Sequence, residues 1–128
     1  MPHILIVDEQ AEICYLLERM LRRAGYTTHA VATIADVGTS ARLCKPDLVL
    51  LDFVQWHIPL QEVLRPLIQN LPNVTTPLVV MSTTALAHSE SVEGVNVVDF
   101  LHKPFLMASL IGAIERGLKI GCGWALAR

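Results

Sequence analysis

Two kinds of apolar run alternate along the chain. His3-Ile-Leu-Ile-Val-Asp8 is short, continuous and ends in an acid, the pattern of a strand buried on both faces of a parallel sheet. From Ala11 the period changes: Ile13, Leu16, Leu17, Met20, Leu21 and Ala24 recur at helical spacing, and Gly25 stands where a helix stops. The same strand-then-helix unit recurs. Thr27 to Ala32 reads as a weaker strand, and Thr33 as the N-cap of a helix reaching Leu43 in spite of Gly38. Leu48 to Asp52 and Pro77 to Ser82 are the next two strands. A polar, alanine-containing helix is expected from about Thr84 to Glu93. Val95 to Leu101 is the fifth strand, and Pro104 opens a last helix reaching about Lys119. Between Asp52 and Pro77, two prolines, Pro59 and Pro66, fall where one helix is expected, and a proline inside a helix costs about 3 kcal/mol. A long irregular connection is predicted there, with a short helix starting near Arg65 or Pro66.

Five strands alternating with five helices imply an α/β three-layer sandwich with a parallel sheet and right-handed crossovers. Ligands in such sheets bind at the carboxyl ends of the strands. At 128 residues the chain has room for one such domain. A composition 52% hydrophobic, with a mean hydropathy of +0.46, excludes disorder. The net charge of −2, with no basic run beyond Arg19, Arg22 and Arg23, argues against direct nucleic-acid binding. Neither membrane insertion nor secretion is expected: the apolar run Ile4 to Val7 stops at Asp8, and the uncharged stretch Pro66 to Ser89 is broken by prolines, asparagines and threonines. Cys14, Cys44 and Cys122 form neither a disulfide framework nor a metal spacing, which fits a reducing cytoplasm.

Strand ends carry the candidate chemistry. Asp8 and Glu9, Asp52, Ser82 and Lys103 each stand at or just past the end of a different strand, so one sheet brings them to one crevice. Three carboxylates and an ammonium are what a hard divalent cation and a phosphoryl group require. Lys103 would neutralise one phosphoryl oxygen and the Ser82 hydroxyl would donate to another. Taken singly, each has a plainer reading: solvated rim carboxylates, a surface lysine, a serine capping the next helix, a core Phe100.

Together, the acidic pair of Ile4-Leu-Ile-Val-Asp8-Glu9, Asp52 in Asp47-Leu-Val-Leu-Leu-Asp52, Ser82 in Val79-Val-Met-Ser82 and Lys103 in Phe100-Leu-His-Lys103-Pro104-Phe105 resemble the receiver domain of bacterial two-component response regulators. The resemblance runs from Ile4 to about Lys119. It implies a flavodoxin-like sheet in the order 2-1-3-4-5, a receiver domain over 1–120 and a tail or linker stump over 121–128. It also implies that Asp52 accepts a phosphoryl group from a phosphohistidine on a sensor histidine kinase or phosphotransfer protein. Asp8, Asp52 and the backbone carbonyl of Val54 would coordinate Mg²⁺, with Glu9 acting directly or through water. Lys103 would pair with the acceptor carboxylate and then with the phosphoryl group. Ser82 and Phe100 would form the switch, and Lys103-Pro104 would be the family's cis peptide bond. The domain would catalyse only its own phosphorylation and dephosphorylation, signalling in the cytoplasm to a downstream protein.

Some positions depart from the family pattern. Glu9 stands where Asp is commoner, which predicts retained but weakened Mg²⁺ binding. Phe53-Val54-Gln55-Trp56-His57-Ile58-Pro59-Leu60 replaces the usual turn after the acceptor, and Thr83 replaces a smaller residue. Apolar Val54 offers no group to orient an attacking water, so a long-lived phosphoryl bond is expected. These departures keep open a degenerate receiver acting as a phosphorylation-independent interaction or dimerisation domain. A Mg²⁺-dependent phosphohydrolase is disfavoured because position 54 is Val rather than Asp, and a flavin site because Asp8-Glu9 would repel its phosphate. Phe105, Leu106, Met107, Ala108, Leu110, Ile111, Ala113 and Ile114 make the last helix apolar nearly all round, which predicts a homodimer or partner docking there.

Overall fold

β1 (His3–Val7), β2 (Thr27–Val31), β3 (Leu48–Phe53), β4 (Pro77–Ser82) and β5 (Asn96–His102) form one parallel sheet in the order β2-β1-β3-β4-β5. The computed structural model describes residues 2–33, 36–53, 62, 64–65, 76–82 and 96–126. Within them the helices are α1 (Ala11–Arg23), α2 (Val37–Cys44) and α3 (Met107–Leu126). The helix expected over Thr84 to Glu93 lies outside the described residues.

The alternation of side chains along each strand builds two cores. Ile4, Ile6, Leu48, Leu50, Val79 and Met81 face α1 and α3, packing with Cys14, Leu17, Leu21, Leu110, Ala113 and Ile114. Leu5, Val7, Val49, Leu51, Leu78 and Val80 face the other way, onto Val37, Ala41 and Leu64. All of these sheet residues are buried, which is why the strands read as continuous apolar runs.

α1 ends in a Schellman motif. The Tyr26 amide donates to Leu21 O and the Gly25 amide to Arg22 O, with Gly25 at a φ of 100° that a Cβ would disfavour. Four predicted boundaries are corrected. α2 starts at Val37 rather than after Thr33, because the Thr33 hydroxyl bonds the Asp36 carboxylate (2.9 Å) instead of the helix backbone. Helical backbone is already present at Glu62, ahead of Arg65, and Leu64 between them is buried. α3 starts at Met107 rather than Pro104, since Leu106 O is the first carbonyl to accept helical amides and Phe105 is packed into the α1–α3 core. It also runs past Lys119 to Leu126, through Gly121 and Gly123, although each glycine costs a helix about 1 kcal/mol.

α3 is not apolar all round in its surroundings. Leu110, Ala113, Ile114 and Gly117 are buried on the sheet, whereas Ala108, Ser109, Glu115, Arg116 and Lys119 are exposed. The sheet covers Leu110, Ala113 and Ile114 of the surface on which the homodimer expectation rested, while Leu106 is 74% exposed and Met107 and Ile111 are half-buried. Among the described residues no helix is long and apolar enough to cross a membrane.

Candidate functional site

Parallel pairing brings the carboxyl ends of β1, β3, β4 and β5 to one edge. Asp8 follows β1, Asp52 lies at the end of β3 opposite Met81, Ser82 closes β4 opposite His102, and Lys103 follows β5. The ends are stitched by backbone bonds: Asp8 N donates to Val31 O (3.0 Å) and Lys103 N to Ser82 O (2.7 Å). The Lys103-Pro104 bond is cis.

Asp8, Asp52 and Ser82 are buried. Asp8 Oδ1 accepts from the Gln10 amide at 2.8 Å, at the mouth of α1, which fixes the carboxylate plane. Asp52 Oδ1 accepts from Lys103 Nζ in an ion pair whose side chains are 1% (Asp52) and 17% (Lys103) exposed. The remaining oxygens, Asp8 Oδ2 and Asp52 Oδ2, are buried with no hydrogen-bond partner among the described residues. Burial pushes the Asp8 carboxyl above its usual range and the nearby Asp52 carboxylate adds to the rise, while the Gln10 amide and Lys103 pull it back in part.

Two carboxylates against one ammonium leave the pocket one negative charge in excess, and unpartnered carboxylate oxygens are costly inside a protein. A hard divalent cation fits this donor set: Mg²⁺ binds through one or two carboxylates and keeps several waters. Glu9 is exposed, and no group of three or more His, Cys, Asp or Glu among the described residues is arranged to hold a metal. The structure therefore joins Asp8 and Asp52 and leaves Glu9, exposed in the bend past β1, outside the buried pair. Phe100 is half-buried against the α2-side core. Val54, Trp56, His57 and Thr83 lie outside the described residues.

Sequence reasoning missed Asp99, whose carboxylate bonds the Phe100 amide and pairs with Arg116 of α3. An acid inside the otherwise apolar run Val97 to Leu101 was the available signal.

The family model of the response regulator receiver domain matches residues 4–115. The chain is 32% identical over 120 residues to the DNA-binding transcriptional regulator NtrC of Rhizobium meliloti, covering 90% of this chain and 24% of that protein. It thus spans about a quarter of that relative's length. Among solved structures, a sensor protein from a Polaromonas species superposes with a TM-score of 0.75 at 22% identity, over 92% of this chain and 96% of the other. The receiver domain of a sensor histidine kinase from Pseudomonas aeruginosa, solved with a magnesium ion coordinated in its active-site cleft, gives 0.70 at 26% identity, over 91% and 97%. Strand order, a family match over nearly the whole chain and the curated relative agree: the chain belongs to the response regulator receiver domain family of two-component systems.

Proposed function

We propose that the chain is a phosphorylation-switched receiver in which Asp52 takes a phosphoryl group from a phosphohistidine on a sensor histidine kinase or phosphotransfer protein. One observation carries the reading: Lys103 holds Asp52 Oδ1, while Asp52 Oδ2 and Asp8 Oδ2 stand buried at the same edge with no hydrogen-bond partner among the described residues. Asp8 and Asp52 would hold Mg²⁺, with Glu9 contributing through water and the Val54 carbonyl as a further ligand. When bound, the ion supplies positive charge against the carboxylates and the phosphoryl oxygens.

The chain's own residues do the rest. Asp52 attacks phosphorus, the bond from phosphorus to the donor imidazole nitrogen breaks with its electron pair leaving on nitrogen, and an acyl phosphate forms on Asp52. Lys103, already at the acceptor, turns its ammonium to the phosphoryl oxygens as the carboxylate charge disappears. The Ser82 hydroxyl donates to another phosphoryl oxygen, and Phe100 moves inward as Ser82 leaves its resting place. Hydrolysis of the acyl phosphate by water resets the domain, so it catalyses only its own phosphorylation and dephosphorylation. Its output is a contact with a downstream protein in the cytoplasm, a setting with which the free thiols of Cys14 and Cys44 agree.

The test is intact mass after incubation with Mg²⁺ and a small-molecule phosphodonor. One added phosphoryl group is expected in the wild type, and none in Asp52→Asn or in the wild type with the metal chelated. A folded wild-type protein that gains no mass overturns the reading.

A further inference from the structure

β5 lies at the edge of the sheet and carries a register shift against β4: Leu78 faces Val97, yet the next residue, Val79, faces Asp99. One extra residue, Val98, enters β5 at that point. Such a bulge turns two consecutive residues to the same side. Val98 packs into the α1–α3 core, and Asp99, opposite Val79 of that core, reaches Arg116 on α3. Beyond the bulge the alternation resumes with the opposite parity. Phe100, opposite Val80, joins the α2-side core, and Leu101, opposite Met81, joins the α1–α3 core. With the same residues in strict alternation from Val97 and no bulge, Phe100 would point at α3. The bulge thus decides which face Phe100 occupies and where the strand delivers Lys103.

Two contacts hold the bulge against α3, and one bond within β5 braces it. A Cβ added at Gly117 would lie 3.1 Å from Val98 Cγ2, so the helix backbone comes directly onto the extra residue. Asp99 Oδ1 accepts from the Phe100 amide at 2.8 Å, and its Oδ2 accepts from Arg116 Nη2. The Arg116 guanidinium lies along the helix over Gly112, where a Cβ would stand 3.3 Å from Nη1.

We propose that Arg116 is a positioning residue for the acceptor site, an inference that rests on the phosphoacceptor reading of Asp52. By holding Asp99 on the bulge it sets the backbone of β5 that presents Phe100 and Lys103. The Arg116 and Asp99 side chains are 61% and 21% exposed, and an ion pair so open to water adds little to global stability. Its loss acts locally. Freed from Arg116, the Asp99 carboxylate turns to water and gives up the Phe100 amide. The bulge loosens, and Lys103 holds Asp52 less firmly.

The experiment compares wild type, Arg116→Ala, Arg116→Lys and Asp99→Asn in full-length protein, by backbone amide NMR and by the rate of phosphoryl uptake from a small-molecule phosphodonor with Mg²⁺. Arg116→Ala is expected to shift the amides of Phe100, Leu101, Lys103 and Asp52 and to speed hydrogen exchange at Phe100 by roughly tenfold, with exchange in β1 and β3 unchanged. It is also expected to slow uptake by about threefold or more, and Arg116→Lys should restore most of the rate. Asp99→Asn should reproduce the Arg116→Ala shifts. Shifts confined to α3 and Asp99, with uptake at the wild-type rate, overturn the proposal, as does faster exchange throughout the sheet. A wild type that takes up no phosphoryl group overturns the acceptor reading instead, and the amide signals, which need no phosphodonor, still decide whether Arg116 sets β5.

Discussion

Asp8 carries a charge that the fold alone does not satisfy. Its Oδ1 has the Gln10 amide and its Oδ2 has no hydrogen-bond partner among the described residues, and burial next to Asp52 raises its pKa. A carboxyl raised in the folded state is ionised first in the unfolded chain, so stability falls as pH climbs from the ordinary carboxylate range through the folded value, and stays lower above it. Asp8→Asn removes that charge and keeps an oxygen for the Gln10 amide. In the absence of divalent cations it should raise the unfolding midpoint by roughly 2–5 °C at pH 7, and the gain should vanish at a pH below the ordinary carboxylate range. Equal midpoints at pH 7 would show that the buried pair is not under charge strain. Asp8, Asp52, Ser82 and Lys103 were legible in the sequence because each ends or follows an apolar run. Glu9 stands exposed beside the buried Asp8 and Asp52, since adjacency in sequence does not say which side chain turns inward, and Asp99 was passed over because its partner Arg116 lies 17 residues away.

At the scale of elements, α3 shows how a close approach depends on a missing side chain. A Cβ at Gly117 would stand 2.7 Å from Leu48 Cδ1 as well as close to Val98, and Leu48 is fully buried in the packed core. Gly117→Ala would gain about 1 kcal/mol of helix propensity but incur overpacking of about 1–3 kcal/mol. A net loss of stability is expected in chemical denaturation, and a gain would mean that α3 can lift from the sheet without penalty. The sequence made this helix look apolar nearly all round because its alanines, Ala108 and Ala113, score as apolar whichever way they face. Packing separates them: Ala113 is buried on the sheet and Ala108 faces water. Element types were read correctly for all five strands and for the three helices described in full. Their ends were less legible, since helix starts depend on which oxygen the capping side chain finds. The Thr33 hydroxyl donates to the Asp36 carboxylate instead of capping the helix backbone.

For the whole molecule, a site with unmatched negative charge should couple cation binding to folding. A ligand that binds only the folded state stabilises it by mass action, by about 2.7 kcal/mol at a hundredfold excess over its Kd. Thermal melts in Mg²⁺ and in chelator at matched ionic strength should therefore differ for the wild type, and the difference should disappear in Asp8→Asn. Identical wild-type melts would rule out the cation site. By itself the sequence determined the α/β class, the parallel sheet and the edge at which the chemistry collects, because continuous apolar strands, helical periodicity and strand-end acids are local patterns that burial and backbone geometry translate directly. Only the tertiary structure decided that Asp8 and Asp52 form a buried pair without Glu9, that the sheet covers the apolar stripe of α3, and that a bulge in β5 sets Phe100 on one face and ties Asp99 to Arg116. Each of these depends on register and on which distant side chains meet across the sheet, and neither is written in any short stretch of residues.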